Sequence, residues 1–546
     1  KEKFESGKNK AIVHWIDKLY PIDKFVSQAK KTGIELGIEE NPYLQARLLE
    51  GVTSKATSFI ENGTFGRKFW KTEKGKTVSD YKGEGLSKIL ESVKEPQAWR
   101  DFSIYLTSQR AQELAKLDIK TGIEPDVASS AIKDLEAKYP TFSKLADKIQ
   151  KYQKDLLDYV QESGLISEDL RAKLDAKYYA YVPFYRVMDE LQAGGYMGKK
   201  MADIASPIKR IKGSEREIIN PLESIIKNTY AMINAADRNQ VGVAMARIAH
   251  DVPEVAPMFQ HIKTPIAKVA TVTAKELGIE ITGLSETETE EVFNIFRPSM
   301  FKAENVATVM IEGKKQFFEV DPDLNKALHA MDAGSMGILW KALSTPAKWL
   351  RAGATLSPDF MIRNPIRDAL SAFVYSKYGF IPGLDFMKGV ISILRKDSSY
   401  QLYKQSGAEH SMLVSLDRDY LQKSFKEVVE GKKFTDYIKH PLALLQIASE
   451  LGEKATRLGE FKLGLAKGAT PLEAGMASRE VTLDFAKAGT QAKAVNQIIA
   501  FFNATIRGWD RPIVAFKEAP FRTSAKIFAG ITLPSILLYL VNRDDD

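Results

Sequence analysis

The spacing of apolar residues predicts helices over most of the first 175 residues. Within 142–160 the apolar positions follow the period of a helix, and lysines and aspartates occupy the opposite face. Pro21 and Asn41-Pro42 are start signals, because proline fits the first helical turn and an asparagine side chain caps it. Glycines and lysines interrupt the pattern in 61–86, which predicts a loop with a short β element at Thr64–Trp70.

A second pattern, of short β-rich runs, occurs between residues 262 and 322. Lys268–Ala274 and Glu291–Phe296 have the composition of strands. Asn305–Ile311 and Gln316–Val320 flank a Glu-Gly-Lys-Lys sequence, which predicts a β-hairpin near 305–320. We therefore expect a mainly α protein, built of multi-helix domains with a small α+β insert.

These patterns divide the chain into four regions. An N-terminal helical region covers 1–175. It is followed at 176–261 by an aromatic and basic loop and by a long helix, which Asn220-Pro221 opens. A small α+β module occupies 262–335, and a C-terminal helical domain that ends in an apolar segment covers 336–546.

Helix signals in the C-terminal domain come from prolines and from amphipathic spacing. Ser357-Pro358 and Asn364-Pro365 each place a capping side chain before a proline, which predicts two helix starts. Leu444–Leu465 has one apolar face, and the i,i+4 pairs Glu450–Lys454 and Glu453–Arg457 are expected on the other face. In a symmetric oligomer, close helix contacts are expected at three small residues, Ala448, Ala455 and Gly459.

Composition narrows the chemistry of the chain. Its 546 residues include no cysteine, which excludes disulfides, thiolate metal sites and cysteine nucleophiles. The six histidines lack the short spacing of a local metal site. No complete phosphate-loop, dinucleotide-binding or serine-nucleophile motif occurs. We therefore expect no enzymatic activity, no catalytic residue, no bound metal and no cofactor in this chain.

The distribution of positive charge indicates one candidate nucleic-acid contact. The net charge of +8 permits contact with phosphates without requiring it. Basic residues concentrate between Lys199 and Arg216, beside the aromatic run Tyr178–Tyr185. Two interpretations are open: a clamp for a nucleic-acid backbone with aromatic stacking surfaces, and a solvated loop, which is the commoner use of such a run. The candidate contacts are Lys199, Lys200, Lys209, Arg210, Lys212 and Arg216.

The last apolar segment of the chain, Ile527–Val541, is a candidate for membrane contact. As a helix, about 15 residues span about 22 Å, less than the ~30 Å hydrocarbon core of a bilayer, and Pro534 interrupts the segment. We therefore expect a helix that is buried against others in a packed particle and that binds anionic membrane once released. The candidate membrane-contacting residues are Ile527, Phe528, Ile531, Leu533, Ile536, Leu537, Leu538 and Leu540.

Several polar residues occur inside apolar helical segments near the C terminus. In an enzyme they would form a site, but between packed helices such residues are more often buried ion pairs or cap partners, and we expect that role. They are Arg363, Arg367, Asp368, Glu460, Arg479, Asp484, Asn503, Arg507 and Asp510.

Three stretches carry a resemblance to a known family. TLSPDFMIRNPIRDALSAFVYSKYGFIPG at Thr355–Gly383, EAGMASREVTLDFAKAG at Glu473–Gly489 and FFNATIRGWD at Phe501–Asp510 resemble helical domains of the large polyvalent proteins of tailed bacteriophages. The block Tyr181–Asn239 is similar to segments found upstream in the same proteins. These motifs are specific for the family and not for an activity, so no catalytic residue is carried over.

The resemblance implies a structural internal virion protein, ejected with the genome and assisting DNA passage across the host cell envelope. Its location would be the virion interior and, after ejection, the host cell envelope. The implied partners are further copies of the chain, other virion proteins such as portal or core, non-specific DNA and, conditionally, a membrane. Two alternatives stay open: a non-catalytic scaffold segment of a larger phage polyprotein with enzymatic modules elsewhere, and an injected anti-defence protein.

Overall fold

Helices dominate the structure, and the β elements are small, as the sequence predicts. The computed structural model describes residues 2–116, 123–176, 221–262, 274–275, 281, 283–296, 305–331, 358–409, 441–484, 487–492, 495 and 502–542. The helices of the N-terminal region are α1 (Glu2–Ala11), α2 (Tyr20–Lys30), α3 (Pro42–Leu48), α4 (Val52–Glu61), α5 (Leu86–Ile89), α6 (Pro96–Ala115), α7 (Pro125–Lys138), α8 (Phe142–Glu162) and α9 (Glu168–Ala176).

The helices after residue 220 begin with the longest of the described helices and end with a short apolar one. They are α10 (Pro221–Asp251), α11 (Glu286–Phe296), α12 (Pro322–Ala330), α13 (Pro358–Tyr375), α14 (Leu384–Arg395), α15 (Ser398–Gln405), α16 (Pro441–Ala466), α17 (Pro471–Glu480), α18 (Phe502–Glu518), α19 (Pro520–Ile527) and α20 (Leu533–Asn542). The strands are β1 (Gly63–Thr64), β2 (Trp70–Glu73), β3 (Lys76–Ser79), β4 (Gly83–Glu84), β5 (Phe259–Ile262), β6 (Val306–Ile311) and β7 (Lys314–Val320).

The predicted helix starts at Pro42 and Pro221 are confirmed, and a glycine and a serine mark the boundary between α8 and α9. The Asn41 side chain accepts hydrogen bonds from the backbone N–H groups of Tyr43 and Leu44, at 3.0 and 3.2 Å, and so caps α3. The long helix α10 begins at Pro221. Gly164, with a φ of 79°, ends the helical stretch before Ser167, and the Ser167 hydroxyl accepts from the Leu170 backbone N–H at 3.2 Å.

The predicted β-hairpin is confirmed. Strands β6 and β7 are antiparallel, with Val306 opposite Glu319 and Ile311 opposite Lys314. The two turn residues between them, Glu312 and Gly313, both have positive φ, as the commonest two-residue hairpin turn requires. Strand β5 pairs with the other edge of β7 and completes an antiparallel sheet of order β5-β7-β6.

Two β predictions are wrong. Glu291–Phe296 lies inside helix α11, because reciprocal hydrogen bonds between Ser285 and Glu288 form a capping box that starts the helix there. The region 61–86 contains four short strands, in which β1 pairs with β4 and β2 pairs with β3. The predicted element Thr64–Trp70 is mostly the connection between β1 and β2. Of Lys268–Ala274, only Ala274 is among the described residues.

The prediction that Asn364-Pro365 starts a separate helix is also wrong. Pro365 lies inside α13, which continues to Tyr375. The Asn364 side chain donates to the Asp368 carboxylate at 3.0 Å, so it binds a side chain one turn ahead instead of capping a new helix. The proline ring packs against Gly452 of α16, where a Cβ would lie only 2.5 Å from the ring.

Two hydrophobic cores meet along helix α10. Its first half, from Leu222 to Ala236, packs with α4 to α9, with α11 and with side chains of α15 to α17. Its second half, from Val241 to Asp251, packs with α2, α3, α12 and the three-stranded sheet. Each core takes side chains from more than one of the four predicted regions, and the boundaries at 175, 261 and 335 remain predictions.

Helices α14 and α16 cross at unusually close range. A Cβ on Gly389 would overlap the carbonyl oxygen of Ala455, and one on Gly459 would overlap that of Asp385. Ala455 and Gly459 therefore face a helix of the same chain, where their small size permits the close crossing. The symmetric oligomer stays a prediction. The side chain of Ala448, the third residue of that prediction, lies outside the described ones.

We expect Gly389→Ala to destabilise the protein by at least about 2 kcal/mol, because the new methyl group meets backbone atoms, which cannot rotate away. Gly508→Ala is the matched control. No atom lies within 4 Å of a Cβ at Gly508, and alanine should favour helix α18 by up to about 1 kcal/mol. Thermal unfolding of both variants checks the contrast. Equal melting temperatures would contradict the close crossing.

A network of buried ions joins the N-terminal helices to the C-terminal ones. Asp484 accepts from Arg47 at 2.5 Å and from Arg479 at 3.2 Å. The other Arg479 amino group donates to the Arg47 carbonyl at 2.6 Å. Arg457 donates to the hydroxyl of Thr482 and pairs with Glu453 at 3.0 Å. The predicted pair Glu453–Arg457 therefore forms, and Arg457 is buried.

Candidate membrane-contact surface

The terminal helix is longer than the apolar segment predicted from the sequence, and it is exposed in the folded chain. Helices α19 and α20 and a π-helical turn at Phe528–Thr532 form one continuous helical segment, Pro520–Asn542. By length and composition alone, Pro520–Leu540 could cross a membrane, since 21 residues span about 31 Å. Only 6% of an 18-residue apolar stretch within it is buried. The helix is therefore longer than the predicted segment Ile527–Val541, and the expected burial against other helices of a packed particle stays a prediction.

The predicted membrane-contacting residues share this exposure. Ile527 is partly buried against the neighbouring helix. The other seven are exposed, namely Phe528, Ile531, Leu533, Ile536, Leu537, Leu538 and Leu540. Phe521 and Tyr539 are exposed on the same helical segment. Large apolar side chains left in water in this number mark a surface that another apolar phase or partner is expected to cover.

Pro534 does not break the helical segment. Proline lacks a backbone N–H and its ring crowds the carbonyl one turn earlier, which in this chain belongs to Gly530. The π-helical turn lies at that point, and the Leu533 N–H bonds to the Phe528 carbonyl five residues back. Wider turns of this kind accommodate irregularities within otherwise regular helices.

The terminal helix is attached to the end of α13. Lys526 donates to the Phe373 carbonyl at 2.6 Å, and Arg522 donates to the Ser376 carbonyl. Helices leave their last carbonyls without intrahelical partners, and cationic side chains satisfy them well. Gly530 lies against the Phe373 ring, where a Cβ would come within 3.0 Å. The attachment uses polar contacts and leaves the apolar side chains of the terminal helix uncovered.

Glu460 organises the loop that receives these cations. Its carboxylate accepts from the Ser376 hydroxyl at 2.7 Å and from the backbone N–H groups of Lys377 and Tyr378 at 3.1 and 3.2 Å. Burial raises the pKa of Glu460, although these hydrogen bonds oppose the shift. The docking point of the terminal helix is therefore built on a fixed, buried carboxylate of α16.

Helix α18 adds a further exposed apolar face. Trp509 is 72% exposed, and Ile513 and Phe516 follow at helical spacing. An open groove of about 780 Å³ runs along these side chains. The Thr523 hydroxyl donates to the Ala515 carbonyl at 3.0 Å and ties α18 to α19. The two consecutive helices together present apolar side chains to solvent.

The polar residues predicted inside the helices have structural partners. Asp368, Glu460, Arg479 and Asp484 are buried, and Asp510 pairs with Lys487 at 3.5 Å. Arg363 and Arg367 are exposed. The side chains of Asn503 and Arg507 lie outside the described ones. The expected role between packed helices is confirmed for the buried members and is wrong for Arg367, which is exposed and contacts Asn364 and Asp368 of its own helix.

One member of this set, Asp368, has a strongly shifted pKa. Burial and the neighbouring carboxylate of Glu453 raise the pKa of Asp368 from 3.8 to about 7, although Arg367, Arg457 and the hydrogen bond from Asn364 oppose the shift. Between about pH 4 and pH 7, the folded protein therefore holds a proton at Asp368 that the unfolded chain has already released. This contribution to stability is complete below about pH 4 and is lost as the pH rises to about 7.

We expect Asp368→Asn to remove this pH dependence, because an amide keeps the shape of the protonated acid and cannot ionise. The variant should match the natural protein at about pH 4 and exceed its free energy of unfolding by on the order of 4 kcal/mol well above pH 7. Urea unfolding at several pH values measures the difference. Asp134→Asn is the control at an exposed position, and the difference in free energy of unfolding that it causes should not change with pH. A constant difference at all pH values would show that Asp368 is ionised throughout.

The remaining predictions from the sequence concern nucleic-acid contact and metal binding. The six basic candidates for nucleic-acid contact, from Lys199 to Arg216, lie outside the described residues. Within the part of the chain that the structure describes, no group of three or more His, Asp or Glu side chains is placed to hold a metal ion. The exposed apolar surface of the C-terminal helices is the strongest candidate for function among the described residues.

Comparisons with protein-family models, with curated proteins and with solved structures found no match to this chain. The resemblance to large polyvalent phage proteins stays a prediction from the quoted motifs.

Proposed function

We propose that this chain is a structural internal protein of a tailed-phage virion, ejected with the genome, which assists DNA passage across the host envelope by binding the membrane through its terminal helix. The observation that carries the proposal is the exposed apolar segment Pro520–Leu540. The phage context rests on the sequence resemblance of Thr355–Gly383 and the other quoted motifs.

The surroundings of the terminal helix support membrane contact. Lys517 lies just before the terminal helix, and Arg522 and Lys526, which also bind α13, lie in its first two turns. A cation near an anionic surface contributes about 1 kcal/mol of attraction. The polar end is bound to α13 while the apolar remainder is exposed. A helix whose N-terminal end is bound to the protein and whose remaining apolar side chains are exposed can act as a membrane anchor.

Mass spectrometry of purified particles tests the virion role. Peptides of this chain are expected in the particles and, after infection, in the envelope fraction of the host. Absence from particles would contradict the proposal and favour an intracellular scaffold. Presence in particles followed by recovery only in the host cytosol would favour the injected anti-defence protein.

The predicted DNA contact concerns the basic segment Lys199–Arg216. If the segment binds DNA, binding should be independent of sequence and steeply dependent on salt. Replacing Lys209, Arg210 and Lys212 by alanine should flatten the slope of log affinity against log salt by about one unit per lost phosphate contact. Fluorescence anisotropy with a labelled DNA fragment measures the slope.

A matched triple variant controls for the general loss of charge. It replaces three exposed lysines outside the segment, Lys133, Lys144 and Lys326. The control should keep the natural slope. If both variants show the natural slope, the segment is a solvated loop.

A further inference from the structure

Helix α14 has an apolar stripe turned outward. Leu384, Met387, Ile391 and Leu394 follow helical spacing and are exposed, Leu394 by 71%. The side that faces α16 carries Asp385, Gly389 and Ser392, which are buried, and Phe386 and Ile393 of the same helix pack against hydrophobic cores. The exposed stripe is therefore a second apolar surface of α14, which no other element covers in the described chain.

The inward position of the polar face is fixed by specific contacts. Asp385 accepts from the Ile381 backbone N–H at 2.9 Å and from Lys388 at 2.8 Å. Lys462 of α16 donates to the Ser392 hydroxyl at 2.8 Å. Gly389 lies where no side chain fits against α16. Because these polar groups are satisfied and the crossing is close, the helix cannot rotate to bury its apolar stripe without breaking them.

The charge around the stripe favours one kind of partner. Residues 381–396 contain three cations, Lys388, Arg395 and Lys396, which are exposed. The only acidic residue of this range is Asp385, and it is buried. A second copy of the chain would bring the same cations to face each other across a two-fold contact. An anionic lipid surface accepts both the apolar stripe and the cations.

The position of α14 also connects it to the terminal helix. The loop between α13 and α14 begins at Ser376, whose carbonyl receives Arg522. The base of the terminal helix therefore lies at the start of the connection that leads into α14. The two exposed apolar elements are attached to the same end of α13.

We propose that α14 is a second membrane-binding element, which lies along the surface of an anionic leaflet with its apolar stripe inserted. This inference rests on the proposed membrane role and adds a separate contact to it. The terminal helix supplies an anchor, and α14 fixes the orientation of the C-terminal domain on the bilayer.

Site-specific fluorescence on the full chain tests this proposal, since the chain has no cysteine and each introduced cysteine is labelled alone. An environment-sensitive dye is placed at Met387→Cys on α14, at Leu538→Cys on the terminal helix and at Lys133→Cys on the exposed face of α7. Phosphatidylcholine vesicles with and without phosphatidylserine are added. We expect a blue shift and a several-fold rise in emission at positions 387 and 538 with phosphatidylserine, and no change at 133.

The outcomes separate the two proposals. A shift at 538 without one at 387 would overturn the role of α14 and leave the terminal anchor. No shift at either position would overturn both. A shift at 387 that depends on protein concentration and needs no vesicles would show that a second copy covers the stripe, and would overturn the lipid assignment.

Charge variants give a second test that does not alter the stripe. Arg395→Gln combined with Lys396→Asn removes two exposed cations at the end of α14, and asparagine tolerates the positive φ of position 396. Affinity for phosphatidylserine vesicles should fall by about tenfold or more. The same loss of charge at Lys133 and Lys144 should have little effect. Equal losses in both variants would overturn the specific role of α14.

Discussion

Replacing Asp484 by alanine is expected to destabilise the protein by about 3–5 kcal/mol, because the change leaves two buried arginines without their shared partner. The carboxylate lies between Arg47 and Arg479, at 2.5 and 3.2 Å, and all three side chains are less than a tenth exposed. Both arginines are buried in the folded protein. Thermal or urea unfolding, followed by circular dichroism, measures the loss.

Glu480→Ala is the matched control for this change. Glu480 pairs with the same Arg47 at 3.0 Å, but its side chain is 41% exposed. Water replaces an exposed partner easily, so the control should cost no more than about 1 kcal/mol. Similar costs for the two variants would mean that Asp484 is hydrated in solution, and the network would then contribute little to the joining of the N- and C-terminal helices.

Local signals in the sequence were sufficient to predict many helix starts. Asn41 and Pro221 act through their own backbone geometry and nearest neighbours, so their effect does not depend on the rest of the fold. The hairpin of β6 and β7 was predictable for the same reason, since its turn sequence determines the pairing of the flanking strands.

The misassigned elements are those in which local signals compete. The apolar run Glu291–Phe296 has strand-like composition, but the Ser285–Glu288 capping box upstream starts a helix through it. That signal is present in the sequence. Asn364-Pro365 has the form of a helix start, yet the helix begins at Pro358 and Pro365 packs on Gly452. That outcome depends on a contact between residues that are distant in the sequence.

The candidate surface was predictable only in part. The apolar character of Ile527–Val541 is visible in the sequence, but its exposure depends on what packs against it. Helix α14 illustrates the difficulty most clearly. Its pattern of Leu384, Met387, Ile391 and Leu394 indicates one apolar face and does not say whether that face is turned toward the core. The direction is determined by the close crossing at Gly389, which only the structure shows.

The exposure of the terminal helix changes the expected course of membrane binding. A helix buried in the packed protein would need partial unfolding before it reached lipid. Because Pro520–Leu540 is already exposed, the whole chain is expected to float with anionic vesicles without any prior unfolding. Truncation after Ala519 should strongly weaken flotation, but it also removes the contacts of Arg522 and Lys526 with α13, so a single substitution is the sharper test.

Leu533→Asp is that substitution, and it should weaken vesicle binding by about a hundredfold, since a carboxylate within the hydrocarbon costs about 3 kcal/mol. Leu533 is exposed, so the fold should change by no more than about 0.5 kcal/mol. Val127→Asp on α7 is the control. Val127 is an exposed apolar side chain, and it does not belong to the C-terminal helices proposed to contact the membrane. Flotation of Leu533→Asp at the natural level would show that the terminal helix does not enter lipid, and the role in crossing the envelope would lose the observation that carries it.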